Sequence, residues 1–167
     1  MSSNACMILV DTNVWLDNYL PNRKGHEDAR RFLVRATATD SVFLLYSAPI
    51  LKDAFYILAS SLKEEVRREG KLTQEAARTI RQIAWSCIDN MRELGTAVGV
   101  DEADLWLACK YRQFNQDLED NLVLAAAERA HANYLVTSDE HLIRKSTVTA
   151  FTPADMAMYL ETKLNLR

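Results

Sequence analysis

Two aspartates, Asp11 and Asp139, each follow a short apolar run, one near each end of the chain. Residues 7–10 and 134–136 form these runs, whose β-branched members are typical of strands buried on both faces of a parallel sheet. The carboxyl ends of parallel strands meet at one edge, where open α/β sheets bind their ligands. Each aspartate has a simpler interpretation as a helix cap or turn residue. The prediction of a shared site therefore depends on further acids.

Two such acids lie on the apolar side of predicted helices. Asp53 falls three residues after Ile50 and four before Ile57, and Asp120 falls three before Val123. An ionised carboxylate on a core-facing side is costly unless a partner or a metal ion compensates its charge. Each acid also has a simpler interpretation, because acids are favoured near helix N-termini. A single shared site nevertheless accounts for all four aspartates at once.

Four carboxylates at one sheet edge would repel one another and raise one another's pKa values. A divalent cation removes that conflict, and oxygen-only ligation suits Mg²⁺ or Mn²⁺, which keep several waters. Such a site binds phosphate oxygens and orients a metal-bound water for attack. The acidic residues therefore predict hydrolysis of a phosphodiester with Mg²⁺ or Mn²⁺ as the cofactor.

The elements that must position these acids alternate between strand and helix along the chain. Strands are predicted over residues 7–10, 42–46, 134–136 and 147–151, and residues 98–100 are either a short strand or a linker. Helices are predicted near residues 14–19, 26–35, 49–68, 73–94, 101–112, 117–132 and from 152 onward. This alternation implies right-handed crossovers with helices on both faces. We therefore predict an α/β fold, a three-layer α/β/α sandwich with a central parallel sheet of four to five strands.

Length and charge bound the class of protein. A chain of 167 residues fits a single domain over residues 1–167 with a full core. The net charge of −3 argues weakly against a nucleic-acid binder. That total is misleading if four of the 23 acids share one site, because the other 19 would then face 20 Lys and Arg residues.

Composition also indicates the compartment. No apolar stretch approaches the roughly 20 residues that span a bilayer, so no membrane association is expected, and no secretory signal is visible. The three cysteines, Cys6, Cys87 and Cys109, lack metal-ligand spacing and fit reduced thiols. We therefore predict a cytoplasmic protein.

Four runs around the acids together resemble the PIN domain family, which includes VapC-type toxin ribonucleases. The runs are ILVDTNV at 8–14 followed by Leu16-Asp17, SAPILKD at 47–53, LEDN at 118–121 and LVTSD at 135–139. Their order and spacing cover nearly the whole chain. The resemblance implies a parallel sheet sandwiched by helices and a metal-dependent ribonuclease that cleaves single-stranded RNA.

The resemblance also implies roles for particular residues. Asp11, Asp120 and Asp139 would hold the metal, and Asp53 would hold it directly or through a water. The family more often has Glu at the position of Asp53, and Asp is one methylene shorter. Asn13 would take part in the same network.

Smaller polar residues beside the acids are expected to support them. Thr137 matches a family position that hydrogen-bonds to the acids or their waters. Thr12 is a neighbouring supporting residue. Ser138 either assists the site or shapes the turn.

Partners are implied as well. Many small bacterial members of the family are toxins held by a cognate antitoxin, so the resemblance implies an antitoxin as a partner. Helices near 14–19 and 49–68 carry apolar residues beyond the needs of one core face, including Trp15, Tyr19, Phe55 and Tyr56. This surface is predicted to be an antitoxin groove or a homodimer face.

Other functions fit the sequence less well. A phosphoacceptor receiver domain wants an adjacent acidic pair, but Asp11 is followed by Thr12 and Asn13; a D-x-D phosphatase fails at Asn13 too. No Gly-rich phosphate loop is present. The alternative that stays open is a non-catalytic PIN-fold interaction protein.

Several other residues receive structural interpretations. The three tryptophans, Trp15, Trp85 and Trp106, are predicted to be core residues, as are Cys87 and Cys109. The acids Asp17, Asp101 and Asp104 are predicted to be caps or surface residues. The basic cluster is interpreted as a solvated helical face rather than an RNA-binding patch, and consists of Lys63, Arg67, Arg68, Lys71, Arg78 and Arg81.

Overall fold

Five parallel strands form the central sheet of the computed structural model, which describes residues 5–165 and the side chains of residues 5–162. The strands are β1 (Cys6–Val10), β2 (Val42–Ser47), β3 (Gly95–Val98), β4 (Tyr134–Val136) and β5 (Ala150–Phe151). Their order across the sheet is β3-β2-β1-β4-β5, and every pairing is parallel. The strands that precede Asp11 and Asp139 are therefore neighbours at the centre of the sheet.

Eight helices cover the sheet within the described residues. They are α1 (Thr12–Tyr19), α2 (His26–Thr37), α3 (Ile50–Glu69), α4 (Gln74–Leu94), α5 (Glu102–Tyr111), α6 (Leu118–Arg129), α7 (Glu140–Lys145) and α8 (Pro153–Asn165). Alternate residues of β1 face opposite sides, since Ile8 and Val10 pack with α1–α4 and α8, whereas Leu9 packs with α6 and α7. The predicted three-layer α/β/α sandwich with a parallel sheet is confirmed.

Three elements differ from their predicted bounds. The third strand is Gly95–Val98 instead of residues 98–100, because α4 passes directly into the sheet at Gly95. A Cβ at Gly95 would lie 3.2 Å from the Leu44 carbonyl oxygen, so glycine permits the close approach to β2. The helix predicted to end near residue 132 stops at Arg129, and His131 then takes a positive φ of 51°. Helix α7 was not predicted.

The predicted burial is correct for Trp15 and wrong for the other two tryptophans. Trp15 is fully buried, but Trp85 is 58% exposed and Trp106 is 57% exposed. Trp85 lies beside the buried stripe of α4, and the Trp106 ring is covered by the Lys110 ammonium 3.5 Å from its centroid. Cys109, also predicted to be a core residue, is exposed.

The prediction that Asp104 is a cap or surface acid is only half correct. Asp101 and Asp104 form the capping box of α5, but the Asp104 side chain is fully buried and pairs with Arg129 of α6. This ion pair ties α5 to α6, the helix that carries Asp120. No helix among the described residues has the length and apolar character that crossing a membrane requires.

Candidate functional site

Asp11 is the buried centre of the candidate site. It ends β1 and caps α1, where its Oδ1 accepts a hydrogen bond from the Thr12 backbone N–H at 2.7 Å. Its Oδ2 accepts a hydrogen bond from the Thr137 hydroxyl at 2.8 Å. Burial, with a smaller contribution from the charges of Asp120 and Glu119, raises the pKa of Asp11 to about 6, although these two hydrogen bonds act in the opposite direction.

The Thr137 hydroxyl joins three residues of the site. Besides donating to Asp11, its Oγ1 accepts from the Asn13 side-chain amide at 3.1 Å and from the Asp139 backbone N–H at 3.1 Å. The Asn13 Oδ1 in turn accepts from the Ser138 backbone N–H at 3.1 Å. The structure thus brings together the loop after β1 and the loop after β4.

Asp139 has a structural role at the end of this loop. Its Oδ1 caps α7 by accepting from the backbone N–H groups of His141 at 2.7 Å and Leu142 at 3.3 Å. Asp11 and Asp139 are therefore both helix caps, as the simpler interpretation held, and both lie at the carboxyl ends of adjacent strands. Capping and membership of an acidic site are compatible, because only one oxygen of Asp139 serves the cap.

Asp120 faces this pair from the first turn of α6. Its Oδ2 accepts a hydrogen bond from the buried Asn115 amide at 3.2 Å, while Asp117 caps the helix. Burial raises the pKa of Asp120, and the charges of Asp117 and Asp139 add to the increase. Asp11, Asp120 and Asp139 are accordingly close enough for their charges to interact.

Asp53 lies at the outer side of the cluster. Its half-exposed carboxylate is 3.4 Å from the Lys52 ammonium. The pKa of Glu119 is raised, first by burial and then by the charge of Asp53. The charges of Asp117 and Asp120 raise it in the same direction. Glu119 therefore stands between Asp53 and the inner acids.

Glu119 and Lys52 are the site residues that the sequence interpretation missed. Both stand next to predicted site acids in the chain, Glu119 before Asp120 and Lys52 before Asp53. That adjacency was the available signal. It was not used because helical spacing alone does not show which residues of a first turn face the site.

The donor chemistry of the cluster fits a hard divalent cation. The donors are carboxylates and hydroxyls, and a cation would favour the ionised forms of Asp11 and Asp120, whose pKa values are raised by burial and, to a smaller extent, by neighbouring acids. The buried Thr12 hydroxyl, next to Asp11, has no hydrogen-bond partner in the described part of the chain. Among the side chains that the structure describes, no three His, Cys, Asp or Glu are grouped as a ready metal site. The fit to Mg²⁺ or Mn²⁺ therefore rests on donor chemistry, and the metal roles stay predictions.

A second hydrogen-bond network, centred on Asp17, supports the loop that carries Asp139. The Ser138 hydroxyl donates to Asp17 Oδ2 at 3.0 Å, and Arg23 Nε donates to Asp17 Oδ1 at 2.5 Å. Asp17 is only 4% exposed. Its prediction as a cap or surface acid is wrong, because it is a buried ion-pair partner that ties α1 to the loop of Asp139. Ser138 thus both shapes the turn and links it to Asp17.

Gly25 is predicted to be required for this network. A Cβ at position 25 would lie 2.4 Å from Asp17 Oδ2 and 2.9 Å from Asp17 Cγ. Gly25→Ala is expected to lower the free energy of unfolding by about 1–3 kcal/mol, the usual cost of overpacking. Urea denaturation measures this, with Gly99→Ala as the matched control because no atom lies within 4 Å of its Cβ position. Equal stability of the two variants would contradict the tight packing of Asp17.

Comparison with solved structures identifies proteins that share this fold. The VapBC2 structure from Rickettsia felis, bound to a promoter DNA fragment, matches with a TM-score of 0.62 at 11% identity, over 87% of this chain and 98% of that chain. VapC20 of Mycobacterium tuberculosis, a sarcin-ricin loop cleaving toxin, matches with a TM-score of 0.62 at 12% identity, over 85% and 97%. PAE2754 from Pyrobaculum aerophilum matches with a TM-score of 0.58 at 16% identity, over 95% and 98%. At these identities the similarity shows the fold alone.

The sequence itself gives the family. No curated protein sequence matches the chain. The family model described as the PIN domain matches residues 7–141, which include Asp11, Asp53 and Asp120 as well as Asp139. The chain therefore belongs to the PIN domain family.

Proposed function

We propose that the protein is a metal-dependent endoribonuclease that hydrolyses single-stranded RNA. The observation that carries the proposal is the placement of Asp11. This carboxylate is buried, joined through Thr137 to the loop of Asp139, and close enough to Asp120 for their charges to interact. A buried acid at a sheet edge, with a pKa raised by burial and by nearby acids, is typical of a site that binds a cation.

The proposed division of labour follows from the position of each acid in the cluster. Asp11, Asp120 and Asp139 would hold Mg²⁺ or Mn²⁺, and Asn13 and Thr137 would fix the carboxylates of Asp11 and the loop of Asp139. When bound, the cation neutralises the non-bridging phosphate oxygens and supplies a water of lowered pKa. Glu119 and Asp53 lie at the outer side of the cluster, and their carboxylates would orient the attacking water and accept its proton. Lys52 would face the phosphate as a positive charge beside them.

The test is cleavage of a mixed RNA pool. Wild-type protein with Mn²⁺ is expected to cleave, and EDTA is expected to stop cleavage. Asp120→Ala should lower the rate by on the order of 10²-fold, the scale of losing a main electrostatic stabiliser. Activity that survives both EDTA and the substitution would belong to a contaminant. A failure to cleave any RNA in the pool would favour the alternative, a non-catalytic PIN-fold interaction protein.

Metal binding is also expected to stabilise the fold. Millimolar Mn²⁺ or Mg²⁺ should raise the melting temperature, because a ligand that binds only the folded state stabilises it by mass action. The increase should be larger at pH 7.5 than at pH 5. Protons compete with the metal for the carboxylates of Asp11 and Asp120, because the pKa values of both acids are raised. A Mn²⁺ titration followed by thermal denaturation measures this. A flat melting temperature across the titration at pH 7.5 would contradict metal binding.

We also propose that the protein is the toxin of a VapBC-type pair, with a cognate antitoxin as its partner. This rests on the PIN family and on the fold shared with VapBC2 and VapC20. The predicted partner surface must be corrected, because Trp15 is buried and the Tyr19 hydroxyl donates to Asn90. Its exposed part is Tyr56, which packs against the partly buried Phe55, and the exposed Trp85 of α4 extends this surface.

The antitoxin proposal has its own test. A small protein encoded beside this chain should co-purify with it, and Tyr56→Glu should weaken the complex because Tyr56 is 65% exposed. Sedimentation of the chain alone distinguishes an antitoxin surface from a homodimer face. Loss of a homodimer on Tyr56→Glu, with no effect on antitoxin binding, would assign this surface to self-association.

A further inference from the structure

A cavity of about 660 Å³ lies beside the candidate site at the same edge of the sheet. Its lining comes from three segments: the α1–α2 loop with the first turn of α2, the loop after β4, and the start of α8. Ser138 is the link to the acidic site, because it lines the cavity and lies directly before Asp139. A ligand in this cavity would therefore adjoin the loop that carries a predicted metal ligand.

Two cationic side chains of the α1–α2 loop line this cavity. Arg23 uses its Nε on Asp17, and the hydrogen bonds of the described residues leave its two terminal nitrogens for a ligand. Lys24 is exposed and has no ion pair within the described residues. The cavity thus presents a positioned guanidinium and a mobile ammonium, the two groups that proteins use most often for phosphate.

Two helix N-termini open onto the same cavity. Helix α2 begins after Gly25, which provides no side-chain cap, and α8 begins at Pro153, which also lines the cavity. Helix N-termini carry partial positive charge and backbone N–H groups that favour anions. The two helix N-termini add to the anion-binding character that Arg23 and Lys24 give the cavity, and they would not be sufficient without these side chains.

Three carboxylates also line the cavity, but two of them are already paired. Both oxygens of Asp17 accept hydrogen bonds, from Arg23 and Ser138. Glu140 is 3.6 Å from the Arg144 guanidinium. Asp28 lies in the first turn of α2, where the helix dipole favours an acid. Within the described residues, Lys24 therefore keeps a positive charge without an ion pair, and Asp28 is the lining carboxylate that also has none.

The other basic cluster of the molecule is poorly placed for a site ligand. Arg67 lies 14 positions after Asp53 on α3, which is roughly 20 Å along the helix axis. Residues near Arg67 also alternate with the acids Glu64, Glu65 and Glu69. Lys24 and Arg23 are, by contrast, at the cavity next to the loop of Asp139.

We infer that this cavity is a phosphate subsite, which holds a backbone phosphate of the RNA substrate next to the cleavage site. The inference rests on the proposed function and deepens it. It explains how a chain with a net charge of −3 holds RNA beside an acidic cluster. Backbone phosphates supply most of the affinity in such complexes, and each contact adds salt dependence. The subsite would set the register of the RNA and carry no base specificity.

The test measures RNA binding without cleavage. The full chain carrying Asp11→Asn is titrated in Mg²⁺ buffer against a fluorescent single-stranded RNA of about a dozen nucleotides. Lys24→Glu in this background is expected to weaken binding about tenfold, and to lower the salt slope of log K by about 0.7, the value for one lost phosphate contact. Lys24 suits the test better than Arg23, whose substitution would also disturb Asp17.

The matched control is Lys71→Glu in the same background. Lys71 is exposed in the turn between α3 and α4, outside the cavity, and undergoes the same charge reversal. Its affinity for RNA is expected to stay within twofold. Equal weakening by both reversals would overturn the inference, because only the overall charge would then matter.

Competition by inorganic phosphate shows whether the cavity binds an RNA phosphate or free phosphate. Phosphate at millimolar concentration should compete with RNA for the protein that has Lys24. If Lys24→Glu weakens phosphate binding but leaves RNA binding unchanged, the cavity takes free phosphate and the RNA assignment is wrong. If neither Lys24→Glu nor Lys71→Glu alters RNA binding, the subsite inference is wrong, but the nuclease proposal is unaffected. A chain that neither binds nor cleaves RNA removes both.

Discussion

Asp11→Asn is expected to abolish RNA cleavage and, at the same time, to stabilise the metal-free protein. The loss of activity should be on the order of 10²-fold or more, since Asp11 is the buried acid around which the site is arranged. The gain in stability follows from the same burial. An ionised Asp11 is costly in the fold, and Asn has nearly the same shape without the charge.

The sign of the pH dependence follows from the raised pKa. Burial raises the pKa of Asp11 from 3.8 to about 6, so the folded protein holds this proton more tightly than the unfolded chain. Stability of the metal-free protein should therefore fall as pH rises from about 4 through 6. Above that range the ionised acid costs the fold up to about 3 kcal/mol, at 1.36 kcal/mol per pKa unit.

The measurement is urea denaturation in EDTA at several pH values between 4 and 8. The Asn variant should match the wild type near pH 4 and exceed it by roughly 1–3 kcal/mol at pH 8. Asp40→Asn is the matched control, because Asp40 is an exposed acid in the turn before β2, at the opposite edge of the sheet. A stability difference for Asp11→Asn that does not change with pH would contradict the burial of an ionised acid.

Activity and stability are thus expected to oppose each other at Asp11. Burial and, to a smaller extent, the neighbouring acids raise its pKa, and a bound cation would offset the cost of the ionised form; without a cation the fold carries that cost. Asp120 shows the same effect in a half-buried position, where its pKa is also raised. A stabilising substitution that destroys activity is characteristic of a binding site and not of a structural ion pair.

The inner part of the site was predictable because it depends on local patterns. An apolar run that ends in Asp predicts both a buried strand and an acid at its carboxyl end, and this holds for Asp11. The run before Asp139 predicts the same for the neighbouring strand, since parallel strands deliver their carboxyl ends to one edge. The fold followed from the alternation of strands and helices.

The outer part depends on contacts between distant residues, which a single sequence does not reveal. Ser138 and Asp17 are 121 positions apart, yet their hydrogen bond links the loop of Asp139 to α1. Glu119 enters the cluster because of the orientation of the first turn of α6. The sequence shows only that Glu119 is adjacent to Asp120. Packing decides both contacts, and the spacing of residues does not.

Short elements were the least predictable part of the fold. Helix α7 has six residues and β5 has two, so neither is long enough to repeat its hydrophobic period twice. Helix α7 begins at the Asp139 cap, and the same residue was interpreted mainly as a site acid. Trp85 and Trp106 were assigned to the core by residue type, although their helical positions fall outside the buried stripes.

Thr137→Val is expected to produce the second large effect, through the residues that Thr137 connects. Valine keeps the shape of threonine but removes the hydroxyl that donates to Asp11 and accepts from Asn13 and from the Asp139 N–H. Because the side chain is fully buried, water cannot replace these bonds. Metal affinity and cleavage are expected to fall about 10- to 100-fold, the usual cost of losing a group that orients metal ligands.

Thr137→Ser separates positioning of the site from packing of the core. Serine keeps the hydroxyl and removes only a methyl group, so it should restore most Mn²⁺ affinity while it still loses about 1 kcal/mol of stability from the small cavity. Valine should keep the packing and lose Mn²⁺ affinity, and it should also lose stability because the partners of the missing hydroxyl stay buried and unpaired. Calorimetric titration with Mn²⁺ and urea denaturation of both variants give the two readouts. If Val and Ser bind Mn²⁺ equally well, the hydroxyl does not position Asp11 and Asp139. If the loss of Mn²⁺ affinity follows the loss of stability in both variants, Thr137 likewise serves only the packing of the core.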